Sequence, residues 1–168
     1  MAVELLRFPH KHLRAQVIKA YMAECGYSKA VCFSCGNAAR ALEVVGVDTL
    51  HIGPHGVLAP QKWFTQAEIK HNFPQHFDAT SGHLPVELMA RLGATYRDYI
   101  GPLTGSIYVP SGSGETLVAL KMANPGTNFI AVYNLDEATE YSEYAPLNAL
   151  VRLLAAGVVF ADESDNWG

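Results

Sequence analysis

The residues best placed to do chemistry lie in Ile107-Tyr-Val-Pro-Ser-Gly-Ser-Gly-Glu-Thr-Leu-Val-Ala-Leu-Lys121. An apolar strand pattern runs into a glycine-rich turn and then a helical pattern, which is how chains build cradles for anions. Gly112 and Gly114 admit backbone conformations closed to other residues. A helix starting near Glu115 offers unpaired N–H groups and the positive end of its dipole, so a phosphate or carboxylate would fit there. A second turn, Ser34-Cys-Gly-Asn37, follows another apolar strand pattern. Both turns fall at strand carboxyl ends, where ligands collect in parallel α/β sheets, and the expectation is that they face one pocket.

Other chemistry-bearing residues organise less well. The seven histidines, His10, His12, His51, His55, His71, His76 and His83, cluster in or near loop segments. Zinc needs three or four ligands converging, and no spacing here matches a metal motif, so no metal site is assigned. Cys32-Phe-Ser-Cys35 spells C-x-x-C, but Cys32 falls inside a strand pattern and not at a helix start that would lower a thiol's pKa. Both are read as buried, reduced thiols. Asp78 and Ser81-Gly-His83 are hydrolase parts by type, yet no Gly-x-Ser-x-Gly elbow frames a nucleophile. Trp63, Phe64, Phe73 and Phe77 could wall a pocket, with core packing the favoured expectation. A phosphoribosyltransferase is the further alternative. Val109 to Gly114 would then be its diphosphate loop, and Asp136 and Glu137 its ribose-phosphate acids, although Glu140 and Glu143 follow where phosphate donors belong.

The elements that must position these groups read as helix, strand, helix, strand. Leu13, Val17, Ile18, Tyr21 and Met22 share one face of a helix over 11–25, which Gly26 stops. Strands are expected at 29–33 and 48–52 with a helix at 38–45 between them. From Gly53 to Gly82 the pattern is irregular, with one helical piece around 65–71. Order resumes with helices at 85–92, 115–123 and 145–156 and strands at 106–109, 128–133 and 158–160. This alternation predicts an α/β, three-layer αβα domain around a mostly parallel sheet. One domain is expected over 1–161, followed by a polar tail over 162–168.

Composition narrows the function classes. Of the 168 residues 49% are hydrophobic and 17% charged, enough apolar content for a full core. The net charge of −4 and the absence of a Lys/Arg cluster argue against nucleic acid as the main partner. No apolar run approaches the roughly 20 residues that span a bilayer, and the N-terminus lacks a signal-peptide pattern. Three clustered cysteines are too few for a secreted disulfide framework. A cytoplasmic protein that binds a small molecule or anion, with no membrane or nucleic-acid partner, is the expectation.

Lys11-His-Leu-Arg14, Ser34-Cys-Gly-Asn37-Ala-Ala-Arg-Ala-Leu42 and Gly112-Ser-Gly-Glu-Thr-Leu117 follow one another in an order that resembles the fold-type II pyridoxal-phosphate enzymes. Cysteine synthase, threonine deaminase, tryptophan synthase β and the D-cysteine desulfhydrase group belong to that family. Pro125-Gly-Thr-Asn-Phe-Ile-Ala-Val132 resembles the strand that follows its phosphate loop. The resemblance implies lyase or deaminase chemistry on an amino acid with pyridoxal phosphate as cofactor. Lys11 would carry the cofactor as a Schiff base, which requires an amine made neutral enough to attack. Asn37 would bind the cofactor's phenolic oxygen, and the backbone of Ser34 to Gly36 a substrate carboxylate. Gly112, Ser113, Gly114 and Thr116 would surround the phosphate.

This sequence departs from the family in three places. Lys11 lies two residues, not one, from Arg14. Glu115 stands where glycine or threonine is usual, and a carboxylate about 4 Å from a phosphate costs roughly 1–4 kcal/mol. Glu115 must therefore point away, or the phosphate is absent. The family's catalytic unit is about twice this length, and the late segment that partners the pyridine nitrogen has no counterpart. The competing expectation is a non-catalytic binding or interaction module that kept the fold without the cofactor. In the catalytic reading, homo-oligomerisation would supply the missing wall.

Overall fold

The computed structural model describes residues 4–33, 36–53, 64–134 and 147–161. The chain organises into two compact units, Lys11–Leu88 and Met1–His10 with Met89–Gly168.

In the Lys11–Leu88 unit, helix α1 (His10–Cys25) ends where Gly26 takes φ +82° and Tyr27 N–H reaches back to Met22 O at 2.9 Å. A left-handed glycine of this kind satisfies carbonyls that a helix end leaves unpaired. Strand β1 (Lys29–Phe33) leads to α2 (Asn37–Val44), β2 (Asp48–Ile52), α3 (Gln66–Asn72) and β3 (Phe77–Asp78). The sheet order is β2-β1-β3, all parallel. The central β1 is buried from Ala30 to Phe33, as expected for a parallel strand covered on both faces. Val31, Phe33, Ile52 and Ile69 form a core cluster, with Leu50, Phe64 and Phe73 against it. Phe64 and Phe73 thus pack, partly buried, against the core, Phe77 is buried, and Trp63 lies outside the described residues.

In the second unit, α4 (Val86–Ile100), whose first residues belong to the other unit, precedes β4 (Ser106–Pro110) and α5 (Glu115–Ala123). Then follow β5 (Asn128–Asn134), α6 (Asn148–Leu154) and β6 (Gly157–Ala161). The sheet order is β4-β5-β6, again all parallel, and Leu5 bridges to Tyr108 on β4. Phe129, Ala131, Val132, Leu117 and Leu120 make its core.

The α/β class with parallel pairing is therefore as expected, while several details differ. Among the described residues the strands form two three-stranded sheets and not one, and the two-residue β3, too short to leave a periodic trace in the sequence, is an edge strand of the first. Helix α4 runs to Ile100, eight residues past its expected end at 92, because Gly93 sits inside it and not after it. On α1 the buried residues are Arg14, Ala15, Ile18 and Met22, so Leu13, Val17 and Tyr21 lie at the margin of the buried face. Residues 135–146, which include the acidic loop of the phosphoribosyltransferase alternative, and the tail 162–168 lie outside the described residues.

Candidate functional site

The glycine loop joins β4 to α5. Ser111 N–H continues the sheet by donating to Val132 O at 2.8 Å, and its buried hydroxyl donates to Val109 O at 3.1 Å. Gly112 is exposed, and a Cβ there would meet nothing within 4 Å. Ser113, half-buried, accepts the N–H of Glu115 on its hydroxyl at 3.3 Å. Gly114 caps α5 in the left-handed conformation, φ +89°. A Cβ at Gly114 would lie 2.4 Å from Val151 Cγ2 and 3.5 Å from Leu147 Cβ, so the start of α6 closes that side of the loop. Glu115, the first helical residue, is buried at 3% exposure, and Thr116 is half-buried. The first-turn amides of α5 have no acceptor within the helix and carry its positive dipole end.

In the Lys11–Leu88 unit, Gly36 takes φ +126° as the N-cap of α2, and Asn37 is that helix's first residue. A Cβ at Gly36 would touch His51 Cε1 at 3.8 Å, so His51 on β2 borders this turn. Ser34 lies outside the described residues, and Lys11 is half-buried in the first turn of α1. The expectation that the two turns share one sheet's rim is corrected here. The Ser34–Asn37 turn leaves β1 and the Gly112–Thr116 loop leaves β4, strands of different sheets.

The same unit holds a polar network that the sequence offered only as residue types. Asp78, at the end of β3, accepts Thr80 N–H on Oδ1 at 3.0 Å, and its Oδ2 lies 2.8 Å from His83 Nδ1. Thr80 Oγ1 accepts Phe33 N–H at 3.0 Å, tying this loop to the end of β1. His83 N–H donates to Thr80 O at 2.9 Å, and Gln66 Nε2 donates to His83 O at 3.0 Å. Arg14, 4% exposed, donates from its guanidinium to Ala79 O at 2.7 Å, and the buried Cys32 thiol points at the same carbonyl at 3.7 Å. The Asp78 to His83 spacing around Gly82 (φ +91°) was the available signal. It fits no motif because the partner that fixes the pair, Thr80 N–H, is a backbone group. Among the described residues no three His, Cys, Asp or Glu side chains converge to hold a metal ion, and no helix is long and apolar enough to cross a membrane.

No protein-family model and no curated protein sequence matches the chain. Among solved structures it is similar to the crystal structure of O-ureido-L-serine synthase, with a TM-score of 0.57 and 15% sequence identity. The match covers 92% of this chain and 66% of that one, so the chain spans just under two thirds of the synthase. A likeness at that identity is a likeness of fold.

Proposed function

We propose that this protein binds a small molecule through an anionic group held on the Gly112–Thr116 loop. The anion in this reading is the phosphate of pyridoxal phosphate, and the chemistry is of the lyase or deaminase kind on an amino acid. The observation that carries the reading is the loop between β4 and α5. An open Gly112, half-buried Ser113 and Thr116 hydroxyls and a nine-residue helix start converge there. These residues fit a phosphate on the side that Gly112 leaves open, where hydroxyl and amide donors meet the helix dipole. The Gly114 side is filled by Val151 and Leu147.

When bound, pyridoxal phosphate withdraws electron density from the α-carbon of an amino acid. The chain's part is to hold and orient it. Ser113 and Thr116 would fix the phosphate, and Lys11, Ser34, Gly36 and Asn37 keep the roles that the family resemblance implies for them. Glu115 supports a second reading. A glutamate buried in the first turn of α5 stands next to the helix start that would hold an anion, where an ionised carboxylate would oppose it, as in a module that kept the fold and lost the cofactor.

One experiment separates the two. Under the first reading, protein incubated with pyridoxal phosphate and desalted is yellow, Lys11→Ala abolishes the visible band, and the melting temperature rises with the logarithm of cofactor concentration. A protein that stays colourless, with a melting temperature indifferent to the cofactor, belongs to the second reading.

A further inference from the structure

We propose that Asp78 and His83 form a fixed-tautomer acceptor site that binds the hydroxyl group of a small-molecule ligand through His83 Nε2. The geometry lies wholly within the Lys11–Leu88 unit and does not need the cofactor; only the choice of hydroxy amino acids as probes rests on the proposed function. A carboxylate can only accept, so the 2.8 Å contact places a proton on Nδ1, and in the neutral imidazole that leaves a lone pair on Nε2. The carboxylate cannot swing away, because Thr80 N–H holds its other oxygen at 3.0 Å. The main chain that carries the ring is tied at both His83 N–H, to Thr80 O, and His83 C=O, to Gln66 Nε2, and the side chain itself is only 7% exposed, which limits its movement.

His83 is only 8% exposed, and among the described residues Nε2 has no hydrogen-bond partner while not being sealed from solvent. A buried ring held this firmly, with its remaining nitrogen uncommitted, is prepared for a donor that arrives from outside. The neighbouring charges select the donor's kind. Asp78 brings one negative charge, and the Arg14 guanidinium on Ala79 O brings one positive charge beside it. The local sum is zero, which favours a neutral hydroxyl over an ammonium group. The position is also right for a ligand, since the loop 79–85 follows β3 and Thr80 is bonded to the last residue of β1, at the carboxyl edge of a parallel sheet.

The test is nitrogen NMR of histidine-labelled full-length protein, with the His83 signal assigned by its loss in His83→Gln. The expected wild-type spectrum shows His83 protonated at Nδ1 and bare at Nε2. L-serine, L-threonine or L-homoserine should shift the Nε2 signal, whereas L-alanine, which lacks the hydroxyl, should not. In Asp78→Asn the side-chain oxygen must stay on Thr80 N–H, so the amide NH2 faces Nδ1, the proton moves to Nε2, and binding of the responsive amino acid weakens about tenfold or more. A proton on Nε2 in the wild type overturns the proposal, as does an Nε2 signal that none of the three hydroxy amino acids moves. Both of these outcomes are read on wild-type protein, so they stand if Asp78→Asn fails to fold. A shift of Nε2 in a colourless protein would uphold this site while sinking the cofactor reading.

Discussion

Gly112 and Gly114 are two positions apart in one loop, and their reasons for being glycine differ. At Gly114 the backbone is left-handed, φ +89°, and an added Cβ would press on Val151 at 2.4 Å. Gly112 has ordinary φ and open space around it. The left-handed conformation costs a side chain about 1–2 kcal/mol and overpacking about 1–3, so Gly114→Ala should lose roughly 2–5 kcal/mol. Gly112→Ala should stay within about 0.5 kcal/mol of the parent. Urea unfolding of the two variants checks this, and equal losses would mean that the close approach of α6 does not decide Gly114. The contrast also divides the loop: Gly114 serves packing, and Gly112 borders open space. Sequence alone assigns both to phosphate, because the residue that crowds Gly114 lies 37 positions further along the chain, at Val151.

At the scale of elements, local signals were legible wherever they were strong. Strands β1 and β2 and helix α5 lie where the apolar runs and their glycine and proline punctuation place them. Two features resisted for one reason, that a tertiary contact outweighs a local preference. Strand β3 is two residues long and exists through its pairing with Ala30 and Val31 on β1. Gly93 reads as a helix stop, yet it sits within α4 because a Cβ there would lie 2.2 Å from Ala119 O and 3.2 Å from Ala123 Cβ on α5. The sign of one substitution separates propensity from packing. In an uncrowded helix, Gly to Ala gains about 1 kcal/mol. Here the clash is with backbone, which cannot rotate aside, so Gly93→Ala should lower stability by about 2 kcal/mol or more. A melting temperature that rises in Gly93→Ala would show that the α4 and α5 backbones do not approach this closely. The candidate site was legible to the same degree: the glycine loop and the start of α2 were visible as motifs, whereas the Asp78–His83 pair depends on a backbone amide that no side-chain pattern records.

Across the whole molecule, no composition shift or linker in the sequence marks where one compact unit gives way to the other. Each holds a tyrosine that reports on its folding in alkaline solution. Burial raises the Tyr133 hydroxyl above its ordinary range, against a smaller opposing pull from Arg152. In the other unit, the hydrogen bond to Glu87 chiefly raises Tyr21, with burial and Cys25 adding to it. In both cases the folded chain keeps a proton that the unfolded chain gives up near pH 10, the ordinary tyrosine value of about 10. Their contribution to stability is therefore complete below about pH 10 and is lost as pH rises through the raised folded values. Unfolding free energy measured over an alkaline series should fall with pH, and Tyr133→Phe, which has no proton to lose, should make that fall shallower. Tyr21→Phe should do the same through the other unit. General charge repulsion in a chain of net charge −4 also weakens the fold at high pH, but neither substitution would relieve it. An alkaline profile unchanged by both variants would therefore assign the loss to net charge and remove the two tyrosines from it.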